Sequence, residues 1–517
     1  MDATATNVQR AARPPSPTDA ERFGARSRVT PATALWGALG LAGSVIMTLA
    51  GTELLGRISV PRWWFTTNIG STHAGNQLIF YAGVAALVVA WLGLGYELRR
   101  SPALRLRHLI VIGALWCVPL ALGPPLFSRD VYSYLAQGTI LHLGLNPYHV
   151  APDALAHLGH KHTLDAITGI WRTTTAPYGP LFLTVVGWLV GAAAYKLVLG
   201  AILVRLLAIL GVALLVASLP FVARRLGAEP RRAVWLIALS PLVLFQLVSP
   251  AHNDVLMAGV MVAGVAVGLR WPLLGIAVCA LAATIKVPAA AAAVFIAVAW
   301  AWRTEGGFNR VRVLASSAAV FAIVIAVVSA ATGVGLSWIS SGLFSTPGKV
   351  HLAITPGTIM GYTAATLLRD AGVAIGGHTL AEIFARITFV LACAYALWML
   401  YRVRQPTLVR YLGVVLVVVA VFGPAAWPWY LVWGLPLLAA CRRGPLFALM
   451  PLVLVVGALV VKPSGYLLLS IDAAPYVLLV YLAITLVAAV YVRRRPSVPP
   501  ANGPPPAVGG QPVLAQR

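Results

Sequence analysis

Long apolar runs recur from one end of the chain to the other, including Ala32 to Ala50, Leu109 to Leu122, Val313 to Ala331 and Val477 to Val492. In lipid, such runs must satisfy their own backbone hydrogen bonds, which leaves α-helices or a closed β-barrel. A barrel requires short segments that alternate apolar and polar residues, and these runs do not alternate. The 517-residue chain is 60% hydrophobic with a mean hydropathy of +0.86, too apolar for a soluble globule and many times the length of one spanning helix. The expected class is an all-α polytopic membrane protein.

Basic residues outnumber acidic ones, 38 to 14, for a net charge of +24. They are scattered in short clusters between apolar runs. This pattern fits topology signals and contacts to anionic membrane lipid, and argues against a groove for nucleic acid. Cys117, Cys279, Cys393 and Cys441 are isolated within or beside apolar segments, so neither a disulfide framework nor a CxxC metal site is indicated.

Charge placement sets the orientation. Residues 1–30 are polar and rich in Arg, Pro, Ser and Thr, and residues 496–517 are rich in Pro, Gly and Ala. Both read as disordered cytoplasmic tails flanking a single transmembrane domain, 31–495. With the first tail and the loop Arg99-Arg100-Ser101-Pro102-Ala103-Leu104-Arg105 inside, helices near 32–52, 77–97 and 108–127 carry the chain outward at Ser128. Counting the apolar stretch Pro180 to Tyr195 as a span would put Arg224-Arg225 and Arg231-Arg232 outside. It therefore reads as an amphipathic or re-entrant helix on the outer face. The resulting map has about fourteen spans in the plasma membrane, with Lys and Arg in excess on the inner side. Two long outer segments emerge, about 128–197 and 333–379. Short outward turns fall at His252-Asn253-Asp254, Lys286-Val287-Pro288 and Trp427-Pro428-Trp429-Tyr430. Arg205 and Arg386 lie within spans, with no acid to partner them on this map.

One outer carboxylate stands out. Asp130 follows the third apolar run, in Phe127-Ser128-Arg129-Asp130-Val131-Tyr132-Ser133-Tyr134, at the mouth of a long loop. A carboxylate there can act as a general base, or it can cap a surface helix or pair with Arg129. Asp254 is the second choice for a base, on a much shorter turn. His252, Lys286, Arg129 and Arg172 are the outward positive groups or donors suited to a phosphate, although Lys286 at a membrane boundary can also reach headgroups. Asn253 can bind hydroxyls. Tyr132, Tyr134, Tyr178, Trp171 and Trp427 can stack on sugars, and an interfacial aromatic belt would look the same. His157, His160 and His162 form a His-x-x-His-x-His run without a carboxylate or cysteine at a familiar ligand spacing, so no metal site is expected.

The outer segments carry a resemblance. Arg129-Asp130-Val131-Tyr132-Ser133-Tyr134, Gln137-Gly138, Gly144-Leu145-Asn146-Pro147-Tyr148 and Trp171-Arg172-Thr173-Thr174-Thr175-Ala176-Pro177-Tyr178-Gly179-Pro180 follow in order. Ser249-Pro250-Ala251-His252-Asn253-Asp254, Ala283-Thr284-Ile285-Lys286-Val287-Pro288 and Ser345-Thr346-Pro347-Gly348 come later. Over about residues 30–495 the chain resembles the actinobacterial polyprenol-phosphate-mannose-dependent α-1,6-mannosyltransferases of the MptA/MptB type. The resemblance implies the GT-C architecture, with helices along the membrane in the first outer loop, an acidic residue of that loop as base, and a lipid-phosphate sugar as donor. It also implies an α-1,6-mannan lipoglycan acceptor, of the lipomannan and lipoarabinomannan core, and a site on the extracytoplasmic face.

The chemistry suits a lone carboxylate. Glycosyl transfer needs a base for the acceptor hydroxyl, whereas a phosphate leaving group departs as a stable anion without an acid. No cofactor is required, and the residues leave a divalent ion on the donor phosphate open. A GT-C transferase with another acceptor, linkage or lipid-phosphate sugar remains the alternative within enzymes. Outside them, a transporter or flippase for lipid-linked sugars would share the basic inner face without needing Asp130.

Overall fold

The computed structural model describes residues 30–51, 54, 72–340, 355–373, 375–423, 426–442, 445–468 and 471–494. The two tails and the Ser345-Thr346-Pro347-Gly348 motif lie outside the described residues. Within them the chain is helical throughout, with one isolated bridge between Val461 and Leu467 and no strand. Six helices are long and apolar enough to cross a bilayer: Pro31–Gly51, His73–Arg100, Leu197–Arg225, Gly307–Ala331, Gly377–Arg402 and Gln405–Phe422. A seventh candidate is the pair Pro230–Ile237 and Pro241–Val248, bent by 41°. This is a multi-pass membrane protein.

The total of about fourteen spans is not reached on length alone. Leu106–Leu122, Asp254–Gly268, Pro272–Ala283 and Val287–Arg303 are among the shorter apolar helices. At 1.5 Å per residue, the 12 residues of Pro272–Ala283 cover only about 18 Å of a hydrocarbon core about 30 Å thick. Proline and polar turns, such as Ser240-Pro241 and Thr284-Ile285-Lys286, divide apolar stretches that a hydropathy window reads as whole spans. Pro180–Ala192 has 13 residues, also too few to cross unaided, and packs against Asp130–His142.

Small residues let these helices approach closely, the packing mode that works where lipid offers no hydrophobic drive. Asp254–Gly268 crosses Leu197–Arg225 at Gly211 and Gly259. A Cβ on Gly259 would lie 2.4 Å from the Gly211 carbonyl oxygen, and one on Gly211 would meet the Val255 backbone at 2.5 Å. Gly259→Val should therefore force the pair apart and shift Asp254, which begins the same helix. The expected result is loss of folded protein on size-exclusion chromatography in detergent, with Gly259→Ala retaining more than Gly259→Val.

Two polar devices fix the core. Trp91 and Trp235 stack at 4.9 Å, and each indole N–H donates to the other's backbone carbonyl, at 3.0 and 2.8 Å. Arg205, fully buried within a span, finds carbonyls in place of an acid. It donates to Ser249 O at 2.8 Å, Ala121 O at 2.8 Å and Gly123 O at 2.6 Å. That fork ties the end of Leu106–Leu122 to the turn before His252, so the segments that lead to Asp130 and to His252 share one anchor. Arg386 differs from its expected isolation. Glu382, one helical turn earlier, pairs with it on an exposed face.

Candidate active site

Asp130 is the first residue of the helix Asp130–His142, and its approach is tightly specified. Phe127 adopts φ +67°, a costly conformation for a bulky side chain, and is held there on both sides. Its N–H donates to Pro463 O at 2.8 Å, and its ring stacks on Phe245 at 5.5 Å. Ser128 Oγ then accepts from the Asp130 N–H at 3.2 Å. The carboxylate ends up 16% exposed, in reach of a ligand.

His252 meets it from the opposite direction. A π-helical turn over Leu244–Val248 and a positive φ of 61° at Ala251 swing the histidine back beneath the turn. Its Nδ1 contacts the Gln246 carbonyl, its ring lies 4.0 Å from that of Trp429, and its Nε2 is 3.4 Å from Asp130 Oδ2. The ring is fully buried. His252, expected at a phosphate, has the carboxylate of Asp130 beside its Nε2.

Asp254 is enclosed. Lys286 Nζ donates to both of its oxygens, at 2.8 and 2.9 Å, and the Trp433 indole N–H donates to Oδ1 at 2.6 Å. Its side chain is 1% exposed, against 13% for Lys286. The ammonium also sits 4.5 Å from the centre of the Tyr430 ring. An ammonium has three donors, and two are committed to Asp254, so Lys286 has little left to offer a phosphate in this state.

Both pairs are braced by one short segment, the 3₁₀ turn Pro428–Trp433. Three residues per turn place Tyr430 and Trp433 on the same edge, where they stack at 4.5 Å beneath Lys286. Trp427 stacks on Trp429 at 4.7 Å, continuing the column that begins at His252. Trp433 was not singled out from the sequence, because it sits inside what reads as a span starting at 429. The signal was the spacing Trp427-Pro428-Trp429-Tyr430 and then Trp433, a proline-started turn with a tryptophan one 3₁₀ period after the tyrosine.

The first loop closes the site from the other side. Tyr134 packs edge-on against Tyr178 at 4.8 Å and Phe182 at 5.1 Å, and Tyr148 Oη donates to the Tyr178 carbonyl at 2.8 Å. Burial first, then the neighbouring phenol and the charges of Asp130 and Asp254, raise the Tyr134 hydroxyl well above the usual phenol range. Burial followed by Asp130 does the same for Tyr178. Both therefore remain neutral beside the carboxylates. Asn253 is buried between the two acids in sequence, and neither atom of its carboxamide has a hydrogen-bond partner among the described residues.

The N-terminus of Pro180–Ala192 docks on the Lys286 turn. Gly179 N–H donates to Ile285 O at 2.9 Å and Leu181 N–H to Thr284 O at 3.1 Å. A Cβ at Gly179 would lie 2.0 Å from Thr284 O, a backbone collision that no side-chain adjustment relieves. Gly179→Ala should separate the loop from the turn and lower transfer at least about tenfold, an effect of misplacement. Activity per folded molecule, measured against wild type, checks it.

Other expected residues lie elsewhere. Tyr132 is buried in the main core, and Arg129 is buried beside Tyr132 and Tyr466. Trp171 packs on the small cluster of Ala136, Ile140, Leu155, Leu164 and Ile167, and the recorded partner of Arg172 is Asp165, with its Oδ1 4.0 Å away. The histidine run does not gather around a point: His160 lies against Tyr195, and among the described residues no three His, Cys, Asp or Glu side chains are placed to hold a metal.

Comparison with known proteins bears directly on the resemblance carried by these segments. Residues 37–302 match the family model described as "Alpha-(1->6)-mannopyranosyltransferase, N-terminal domain", and residues 358–494 match the MptB C-terminal domain. The chain belongs to the MptA/MptB family. It is 33% identical to alpha-(1->6)-mannopyranosyltransferase A of Mycobacterium tuberculosis, over 78% of this chain and 80% of that protein. A probable alpha-(1->6)-mannopyranosyltransferase of Mycolicibacterium smegmatis is 32% identical over 82% of each chain. Alpha-(1->6)-mannopyranosyltransferase B of Corynebacterium glutamicum is 27% identical over 72% of this chain and 67% of that protein. The chain is thus a membrane-embedded mannosyltransferase, and all the clustered residues fall within the two matched regions.

Proposed function

We propose that this MptA/MptB-family enzyme transfers mannose from polyprenyl-phosphate-mannose to the 6-hydroxyl of an α-1,6-mannan chain on a lipoglycan, the lipomannan and lipoarabinomannan core, with inversion at the anomeric carbon. Asp130 is the general base. The observation that carries this reading is the contrast between the two acids: Asp130 is partly open at the head of the loop helix, and Asp254 is sealed by Lys286 and Trp433. A base must reach the proton it takes, and only the first carboxylate is placed to do so.

The step needs no second acid. The acceptor oxygen attacks the anomeric carbon, its proton passes to Asp130, and the carbon–oxygen bond to phosphate breaks with its electron pair leaving on the phosphate. Lys286, through the one N–H not committed to Asp254, is the proposed positive charge for that anion, with the buried Asn253 carboxamide and the Tyr134 and Tyr178 pair toward the sugars. Trp427 is the proposed sugar contact further out. The step as written requires no cofactor. The site faces the extracytoplasmic side of the plasma membrane, where a lipid-anchored donor and a lipid-anchored acceptor meet.

The test is transfer in reconstituted proteoliposomes given polyprenyl-phosphate-mannose and a short α-1,6-mannoside acceptor, scored by linkage analysis. Expected is an α-1,6 product from the lipid donor, none from a nucleotide-activated mannose, and no change on adding a chelator. A product of another linkage, or transfer from the nucleotide donor, would overturn the reading.

A further inference from the structure

His252 is immobilised on three sides, and only one of its contacts is with a group proposed to react. The Gln246 carbonyl can only accept, so Nδ1 carries a hydrogen. The ring face rests on Trp429, and Nε2, which makes no hydrogen bond among the described residues, lies 3.4 Å from Asp130 Oδ2. Were the ring neutral with its hydrogen on Nδ1, a nitrogen lone pair would face an ionised carboxylate, and two acceptors would oppose each other in a buried place. A proton between them removes the conflict. Placed on Nε2, it makes both ring nitrogens donors, one toward the Gln246 carbonyl and one toward Asp130 Oδ2.

We propose that His252 is the positioning residue of the catalytic base, holding Asp130 Oδ2 through Nε2–H so that Oδ1 alone is presented to the acceptor hydroxyl. The inference rests on the reading of Asp130 as the base. During transfer the acceptor proton moves to Asp130 Oδ1, and the His252 proton stays on Nε2. The 3.4 Å separation exceeds the ~2.8 Å of a formed charge-assisted hydrogen bond. Catalytic contacts commonly tighten only when substrate is bound. The other charged groups around the pair leave this role to His252: Lys286 is committed to Asp254, and the Tyr134 and Tyr178 phenols stay neutral. The Trp427 and Trp429 column holds the ring plane.

Three substitutions separate this role from packing and from phosphate binding, measured as kcat and donor KM beside Asp130→Asn. His252→Gln places an amide near the position of Nε2 and loses the stack on Trp429. His252→Asn reaches only the position of Nδ1, and His252→Phe keeps the stack and cannot donate. The proposal expects a kcat loss of ~10²-fold for Phe and Asn, of the size that misplacing a reacting group produces, with Gln recovering most of it and donor KM unchanged within about twofold in all three. Phe more active than Gln would assign His252 to packing. Asn as active as Gln would overturn the contact through Nε2 even if the Phe variant fails to fold. A raised donor KM at unchanged kcat would assign it to the phosphate. Full activity in Asp130→Asn would fail the base reading itself, whatever the histidine variants do.

Discussion

Replacing Asp130 by Asn should abolish measurable transfer, with kcat falling ~10²–10⁴-fold, the range that a positioned general base contributes. The carboxamide is nearly isosteric and accepts a hydrogen bond, so the Ser128 contact to the backbone and the helix start at Asp130 should persist. What it lacks is basicity. Donor KM should stay within a few fold, because the loss falls on the transition state and not on ground-state binding. Asp254→Asn is the matched control. Its carboxylate is already engaged by Lys286 and Trp433, so its loss should register in the amount of folded enzyme more than in kcat per folded enzyme. Both variants, purified in detergent, normalised by size-exclusion profile and assayed with saturating lipid donor, give the comparison. Near-normal kcat in Asp130→Asn together with a collapse of kcat in folded Asp254→Asn would exchange the roles of the two acids.

The parts of this site were legible in the sequence to different depths. Asp130, His252, Lys286 and Trp427 each interrupt an apolar pattern, and an interruption is visible in one dimension. Which interruption meets which is not visible, because helical periodicity fixes a face and never a neighbour. The pairing of Lys286 with Asp254 arises where the consecutive helices Asp254–Gly268 and Pro272–Ala283 meet the 3₁₀ turn Pro428–Trp433, a segment far away in the chain. The placement of His252 depends on the π-helical turn and the positive φ at Ala251, and alanine carries no sign of a left-handed conformation as glycine would. Trp433 was hidden for the opposite reason, since an indole inside an apolar run reads as lipid contact until its N–H is seen on Asp254. Helix class was readable because apolar runs without alternation exclude strands in a membrane. Span count is harder to read, because Asp254–Gly268 and Pro272–Ala283 have the composition of spans and differ from full ones in length.

Lys286→Met should destabilise the protein more than Asp254→Asn, by ~3–5 kcal/mol, the range for breaking a buried ion pair from one side. The asymmetry follows from exposure. Removing the ammonium leaves Asp254, 1% exposed, as an uncompensated anion with the Trp433 N–H as its remaining donor. Removing the carboxylate leaves Lys286, 13% exposed, with the Tyr430 and Trp433 ring faces at 4.5 and 5.7 Å and a route toward water along its flexible stem. The double variant Lys286→Met with Asp254→Asn should recover most of the loss, because no charge is then left without a partner. Thermal midpoints in detergent, followed by intrinsic tryptophan fluorescence, would show this as a double-mutant cycle with a large coupling term. Equal single effects that simply add would mean that the two groups do not depend on each other. The coupling bears on function, because the Lys286 turn is also where Gly179 and Leu181 dock the first loop. A pair that holds that turn holds the wall of the site against Asp130, so its loss should lower transfer even in molecules that remain folded, and the recovered double variant should regain the loop's position along with its stability.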